Sequence, residues 1–318
     1  MMKISAIIPV YNGKKYLQEA IESVINQSMK PMELLIIDDG STDGSVDDLH
    51  EIKTSFPIRI VKQKNAGQSQ ARNHGISLSK GDFIALLDQD DYWYPNHLER
   101  LAKEFEDNDV MGWSYSNVDE WDHKGRRLKK GLLDYIKADH PKIDVARMIG
   151  EDLHILPSAT LIRKKAILDI GMFDERFSGY EDDDLFLRLF LAGWDNTYIK
   201  TPLTKWRIHS NSSGHSLRMH HSRRLFAEKM IDLFQDIEMN RFSTKEIIGH
   251  RFLGLYINLY INSMLRKEYE NCHFFLSEIK YYLSLLNRSV QKKWGKKVFF
   301  LKHPRLTRFL YKISRILK

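Results

Sequence analysis

The sequence is poor in several features that would otherwise narrow its fold or its address. Cys272 is the only cysteine in 318 residues. An internal disulfide is therefore excluded, and the composition suits a reducing compartment. Beside His273, Phe274 and Phe275, that thiol reads as a small buried apolar group. No stretch approaches the roughly 18 uncharged apolar residues of a membrane-spanning helix. The opening Met1-Met2-Lys3-Ile4 runs straight into a strand-like segment without an apolar leader core, so no secretory signal is expected and a cytoplasmic location is. After the first strand stands Tyr11-Asn12-Gly13-Lys14-Lys15 rather than a G-x-G-x-x-G turn, which argues against a dinucleotide oxidoreductase. The glycine- and lysine-rich phosphate loop of a nucleotidyltransferase is also missing.

Acidic residues are lacking in one region only. Residues 291–318 hold ten of the 49 Lys/Arg and no Asp or Glu, which leaves 39 basic against 42 acidic side chains elsewhere. The net charge of +7 thus belongs to the tail, and the body is mildly acidic. That excludes a body-wide nucleic-acid surface and points to a local electrostatic contact. In the tail, Leu306, Phe309, Leu310, Ile313, Ile316 and Leu317 share one helical face, and Arg305, Arg308, Lys312 and Arg315 another. A basic amphipathic helix of this kind rests on an anionic membrane surface, each basic residue adding about 1 kcal/mol. The alternative is that its apolar stripe packs on the protein.

What is present is an alternation of strands and helices. Short apolar runs at 4–10, 33–37, 58–61 and 83–87 predict four strands. Leu17, Ala20, Ile21, Val24 and Ile25 mark one helical face, a further helix is expected from Ser45, and 68–79 reads as helix stopped by Lys80-Gly81. Strands are expected at 111–116 and 159–163, and a helix at 183–192. From about 217 onward the pattern is helical, including 224–238 and 245–265. Near-continuous apolar strands separated by helices imply a mostly parallel, Rossmann-like sheet covered on both faces. Ligands in such sheets lie beyond the carboxyl ends of the strands. The organisation expected is a domain over 1–216, a helical region over 217–290 and the basic tail over 291–318.

Two of the strands empty into aspartates. Asp88-Gln89-Asp90-Asp91 places three carboxylates in four residues, which repel one another without a counter-charge. Mg²⁺ or Mn²⁺ would supply it, since these ions take one or two carboxylates plus substrate phosphates. The plain alternative is an acidic turn before the helix near Pro95. Asp38-Asp39-Gly40-Ser41-Thr42-Asp43-Gly44 imitates a calcium loop, but position twelve is His50 rather than Glu and a strand leads in, so calcium is rejected. A strand-end carboxylate such as Asp39 suits a nucleotide base N–H, whereas Asp43 reads as a turn or cap residue. Glu181-Asp182-Asp183-Asp184 opens a helix; on the residues alone, a favourable helix N-terminus and a general base are equal readings. His209, alone, reads as a structural histidine, although Ser212-Ser213-Gly214 after it resembles a loop, where functional groups concentrate.

Taken together, several segments resemble the family-2 glycosyltransferases with the GT-A fold: Ile7-Ile8-Pro9-Val10-Tyr11-Asn12, Gln27-Ser28, Ile37 to Asp43, Asn65-Ala66-Gly67 with Ala71-Arg72-Asn73, Gly81-Asp82-Phe83-Ile84 running into Asp88 to Asp91, Gly171-Met172-Phe173-Asp174-Glu175, and Glu181-Asp182. The resemblance covers residues 3 to about 215. It implies an inverting, metal-dependent transferase, of hexosyl or N-acetylhexosaminyl groups, that moves a sugar from a nucleotide-diphosphate donor, most often UDP-linked, to a glycan or lipid-linked hydroxyl in surface-polysaccharide assembly. It further implies that Asp39 recognises the base with Pro9 and Tyr11 lining its pocket, that Arg72 lies near the nucleotide, and that Asp88 faces the donor. Asp90 falls at the metal position with His209 assisting. Asp182 matches the catalytic base, with Glu181 and Asp183 as neighbours in reserve. Met172 replaces a glycine of the family pattern, a change expected to alter packing only. A non-catalytic nucleotide or nucleic-acid binding module is the rival reading, although no RNA- or DNA-binding motif is found.

Overall fold

The computed structural model describes residues 2–47, 49, 52–209, 217–235, 238–239, 242–305 and 307–308. The chain begins β1 (Ile4–Val10), α1 (Leu17–Ile25), β2 (Glu33–Asp38), β3 (Ile58–Lys62), α2 (Gln68–Leu78) and β4 (Phe83–Leu86). It continues β5 (Tyr92–Trp93), α3 (His97–Lys103), β6 (Met111–Asp122), β7 (Arg127–Lys129), α4 (Val145–Gly150), β8 (Thr160–Arg163), α5 (Lys164–Asp169), α6 (Glu181–Leu191) and β9 (Asp195–Ile208). Then come α7 (Leu217–Leu233), a hairpin of β10 (Glu238–Met239) and β11 (Phe242–Ser243), α8 (Thr244–Arg266), α9 (Tyr269–Ser284) and α10 (Arg288–Leu301).

The large sheet runs β3-β2-β1-β4-β8-β6-β9-β5, with β7 beside β6. Its first four strands are parallel, and β1 and β2 are buried along their whole length, as strands covered on both faces are. Beyond β4 the sheet is mixed, since β8 is antiparallel to both its neighbours while β6 and β9 run parallel. Ile8, Ala20, Ile21, Val24, Leu34, Ile36 and Trp93 lie in the core between this sheet and α1, each large aliphatic there contributing roughly 1.5–3 kcal/mol by leaving water. Gly81 is required by closeness rather than by its dihedrals, because a Cβ there would stand 2.7 Å from Lys3 O and Ser5 N.

Topology creates the cleft. From β1 the chain builds outward to β2 and β3, then returns through α2 to β4 on the other side of β1, so the strand order reverses between β1 and β4. The ladder of β1 with β4 ends at Ile7 opposite Leu86, whereas its ladder with β2 continues through Pro9 opposite Ile37. Leu87 N–H still bonds Ile7 O, so the nitrogen of Pro9, two residues on, faces the side from which β4 has already departed. A proline is tolerated in this central strand because no ladder bond is asked of it there.

Two elements escape the pattern of the sequence. Residues 45–47 form a turn rather than the start of a helix, and β9 is not among the expected strands. The chain divides into one compact unit of Met1–Val145 with Leu153–Phe226 and another of Ala146–Asp152 with Ala227–Lys318. The first unit thus runs ten residues past the expected boundary at 216. The second reaches back to 146–152 because Arg251 on α8 donates to Ile149 O (2.8 Å) and Asp152 Oδ1 (2.8 Å). Within it, α8 starts with a capping box of Ser243 and Glu246. Cys272 is buried, and burial pushes its thiol up. Tyr260 OH bonds Leu301 O (2.6 Å) and Arg305 lies over the Tyr269 ring. Of the expected amphipathic tail, Leu306 and residues 309–318 lie outside the described residues, as does the loop at 212–214. No described helix is long and apolar enough to cross a membrane.

Candidate active site

The carboxyl ends of β1, β2 and β4 are stitched together before any ligand is considered. Asn12, at φ +50°, takes the Thr42 N–H on Oδ1 (2.8 Å) and gives its own N–H to Ser41 Oγ (3.0 Å). Asp43 accepts from the Ser45 hydroxyl and, each at 3.0 Å, from Lys14 N–H and Ser45 N–H, and these bonds hold its carboxyl below the usual range against the effect of burial. Asp39, 3 % exposed, accepts from Gln63 Nε2 (2.9 Å), Ala66 N–H (2.8 Å) and Gly67 N–H (2.9 Å). Asp39 and Asp43 thus accept from different sets of donors, and His50 lies outside the described residues. A carboxylate has about four acceptor positions, so Asp39 keeps one on Oδ2 beyond the loop it anchors. Gly67 supplies the φ of +97° that turns its N–H toward Asp39 and starts α2.

Directly after Gly67, Gln68 Nε2 donates to Asp88 Oδ1 (3.0 Å), and one turn later Arg72 donates to the same oxygen (2.7 Å). The other arm of the Arg72 fork bonds Glu181 Oε1 at 2.9 Å. Burial opposes the charge of this guanidinium, but Asp88, Glu181 and Asp182 outweigh it and hold the group charged. The Asp88 N–H is fixed by Ser158 Oγ (3.0 Å), a fully buried serine whose carbonyl also accepts from Trp93 Nε1 (2.6 Å). Pro9 is buried at the end of β1, whereas Tyr11 is 51 % exposed. Its backbone is clasped by the Gln89 amide, which accepts Tyr11 N–H (2.9 Å) and donates to Tyr11 O (3.1 Å). Gly13 leaves room for that amide, since a Cβ would stand 2.2 Å from Gln89 Oε1.

Asp90 and His209 are 119 residues apart and in contact, Nε2 to Oδ2 at 2.7 Å. β9 makes this possible. It pairs antiparallel with β5, Tyr92 opposite Lys205, and Asp91 accepts Arg207 N–H (3.0 Å), which brings His209 beside Asp90. Tyr16 stacks on the imidazole at 5.6 Å between centroids, and the Arg207 guanidinium lies 4.4 Å over the same Tyr16 ring. Burial and Asp88 raise the Asp90 carboxyl while His209 draws it back; Asp91 is pushed well up by burial, Asp90 and Asp88. The buried guanidinium of Arg72 is already shared between Asp88 and Glu181. Asp90 and His209 form an oxygen–nitrogen donor pair in an anionic pocket, a set that fits Mn²⁺ or Mg²⁺ if phosphate oxygens complete the shell. Among the described residues no group of three or more His, Cys, Asp or Glu could hold a metal ion.

The four carboxylates that open α6 have different tasks. Asp184 is fully buried and paired with Arg188 (2.7 Å). Asp183 is buried and accepts Leu153 N–H (3.2 Å), and Glu181 is held by Arg72. Asp182 is the one of the four that keeps appreciable exposure. Burial, then Asp183 and Glu181, push its carboxyl well above the usual range, with the Asp183 N–H and Arg72 pulling the other way. Its partial exposure and raised affinity for a proton are the properties of a general base.

Several motif residues are structural. Gln27 bonds Tyr94 O and Leu98 N–H, tying α1 to the start of α3. Asn73 takes Phe173 N–H (2.9 Å) and donates to Phe173 O (2.9 Å), fastening the 171–175 segment to α2. Met172 does more than alter packing, because it adopts φ +62°. A side chain there costs about 1–2 kcal/mol, against about 0.5–1 kcal/mol of extra chain entropy lost by glycine. Met172→Gly is therefore expected to stabilise the protein by about 0.5–1 kcal/mol, read as a higher urea midpoint at unchanged slope.

An α/β sheet whose strand order reverses between β1 and β4, with aspartates at that switch point, places its ligand site beyond the carboxyl ends of these strands. The chain belongs to glycosyl transferase family 2, whose model matches residues 5–171. Among its relatives are the glycosyltransferase GlyG of Streptococcus pneumoniae, 30 % identical over 66 % of this chain and 72 % of that protein, and the minor teichoic acid biosynthesis protein GgaA of Bacillus subtilis, 34 % identical over 59 % and 43 %. This chain spans about a third to a half of the length of several further relatives, uncharacterized glycosyltransferases of Rickettsia and Nostoc. The fold matches that of Staphylococcus aureus TarS 1–349 in complex with UDP-GlcNAc, with a TM-score of 0.68 and 17 % identity over 97 % of this chain and 89 % of that one.

Proposed function

We propose that this protein is an inverting, metal-dependent glycosyltransferase that moves a hexosyl or N-acetylhexosaminyl group from a UDP-sugar to a hydroxyl of a glycan or lipid-linked acceptor. The observation that carries the reading is the pairing of Asp90 with His209 at the mouth of β4, beside Asp88 and Asp91, where burial and then the neighbouring carboxylates raise Asp90 and Asp91. Mn²⁺ or Mg²⁺ held there with the donor diphosphate would offset the charge of the leaving group. Tyr11 offers an exposed ring at the base side, and the remaining acceptor position of Asp39 suits a base N–H. Asp182 takes the proton of the acceptor hydroxyl. As that oxygen bonds C1, the bond from C1 to the diphosphate oxygen breaks, and attack from the opposite face inverts the centre.

The choice of UDP is supported by TarS, solved with UDP and with UDP-GlcNAc. A surface polymer as acceptor is supported by the relationship to GgaA. Calorimetric titration with UDP, dTDP and GDP, each with and without Mn²⁺, tests the donor assignment. UDP binding that needs Mn²⁺ is expected, and no nucleotide binding under any condition would overturn the transferase reading.

The same proposal places the protein on the inner face of a membrane through its basic tail. Deleting residues 291–318 is expected to abolish co-sedimentation with anionic liposomes at low salt; unchanged co-sedimentation would remove the membrane from the reading.

A further inference from the structure

A strongly basic hairpin joins β6 to β7. Residues 123–133 hold five Lys/Arg and no Asp or Glu, although the body of the chain is mildly acidic. Residues 123–130 are all exposed. The turn is firmly built. Asp122 Oδ1 accepts the N–H groups of Lys124 and Arg126, each at 2.9 Å, its Oδ2 takes Arg126 Nε at 2.8 Å, and Gly125 supplies a φ of +75°. The returning strand is fastened where Gly131 N–H meets Asp119 Oδ1 at 2.8 Å. Three ion pairs then sort the charge by depth. The side chains of Asp119, Asp122 and Glu120 are 3 %, 10 % and 13 % exposed, whereas those of their partners Arg127, Arg126 and Lys129 are 46 %, 71 % and 49 % exposed. With the acids set inward and the bases outward, the face turned to solvent is positive. Lys124 and Lys130 pair with no carboxylate among the described residues.

The hairpin stands at the catalytic edge of the sheet. β8 is antiparallel to both β4 and β6, so β4, β6 and β9 run the same way and end on the same side. Asp122 lies opposite Ile208, the residue before His209, and adjacent strands are about 4.8 Å apart. The basic turn therefore leaves the sheet one strand from the imidazole that meets Asp90. In the strand order it lies across β4 from β2 and Asp39, where the donor base is placed. The acceptor is left the β6 side. We propose that this hairpin is the docking surface for a polyanionic acceptor, a glycan chain that carries a negative charge in its repeating unit. The proposal rests on the transferase reading and names the acceptor class which that reading leaves open. Cations spread along 123–130 suit a repeated charge better than a single one. Leu128 is the one large apolar side chain of the turn, so the hairpin lacks the apolar face with which an element rests on a membrane.

The test uses the full chain without divalent metal and three probes: short-chain polyphosphate, polygalacturonate and neutral dextran. Both polyanions, or the one whose anionic group matches the acceptor, are expected to bind and to slow amide hydrogen exchange over 119–130, and dextran is expected to do neither. Lys124→Glu with Lys130→Glu is expected to weaken polyanion binding by about tenfold in low salt, with the gap closing near about 1 M, where the Debye length is about 3 Å. The same variant should lose the exchange protection and keep wild-type affinity for UDP. Charged residues on an edge strand also deter edge-to-edge pairing, but charge reversal preserves that role, so it predicts no change. Unchanged polyanion affinity in the variant would overturn the proposal. So would protection of 119–130 by anionic vesicles and by neither polyanion, which would make the hairpin a membrane contact. If no nucleotide binds and no sugar is transferred, the transferase reading fails on that result, and the polyanion comparison still decides whether the hairpin is an anion-docking surface.

Discussion

Asp182→Asn is expected to reduce kcat by about 100- to 10,000-fold, the usual contribution of a general base, while UDP binding stays close to wild type. The amide is isosteric, and its oxygen retains the bond now made by Asp183 N–H (2.9 Å), so the first turn of α6 has no reason to move. What disappears is the ability to receive a proton. The measurement is nucleotide release under saturating donor beside calorimetry of UDP, and transfer at the wild-type rate would remove Asp182 from the mechanism. Stability gives an independent reading of the same residue. Its carboxyl is raised in the folded state, so the native protein holds that proton more tightly than the unfolded chain does. The contribution is fully present below the unfolded value near pH 4 and is lost as pH rises through the folded value. Thermal melts of wild type and Asp182→Asn should therefore lie closest in acid. They should separate towards neutrality, with the variant the more stable.

Asp90→Ala is expected to weaken Mn²⁺-dependent UDP binding by about 10- to 100-fold and to reduce transfer at least as much. The range is one otherwise typical of lost support around a metal ligand, and removal of one of two protein donors should reach it. Chelation offers the decisive comparison. With EDTA, wild type and variant should bind UDP equally weakly, because the difference between them is the metal. A gap of the same size in EDTA would mean that Asp90 acts on the nucleotide directly. The substitution should not unfold the protein, since it relieves repulsion with Asp88 and Asp91.

The parts of the fold that could be read from the sequence are those whose burial is written in apolar residues. β1, β2, β3 and β4 are dominated by apolar residues, and their bounds fall within a residue of expectation. β6 runs on to Asp122, past the expected end at Ser116, because its second half, Asn117 to Asp122, is polar. Those residues pair with β9 and β7, and Val118 also packs with Leu132 and Ala159. β9 itself carries Pro202, a poor sign for an inner strand, but the proline stands opposite Asn117 where the register shifts, so no regular ladder bond is demanded of it.

The site divides in the same way. Clusters of charge, Asp88 to Asp91 and Glu181 to Asp184, announce themselves, and the family resemblance assigned them. Gln89, Ser158, Tyr16 and Arg207 do not, because they work by holding backbone or an aromatic face that only the fold brings near. Gly13 is the one sequence trace of the Gln89 clasp, and a missing Cβ can be interpreted only when the amide that fills its place is known.

The path by which His209 reaches Asp90 bears on how the protein is made. Every carboxylate of the donor pocket lies within the first 91 residues, and α6 follows by 191, yet the imidazole comes last, at the end of a strand inserted between β6 and β5. A ribosome-bound chain that has released only its parallel half would own the nucleotide-binding crevice without the histidine that finishes it. On the proposed function, the donor site is complete only once β9 is seated, so a translation product that ends before residue 209 is expected to bind donor poorly.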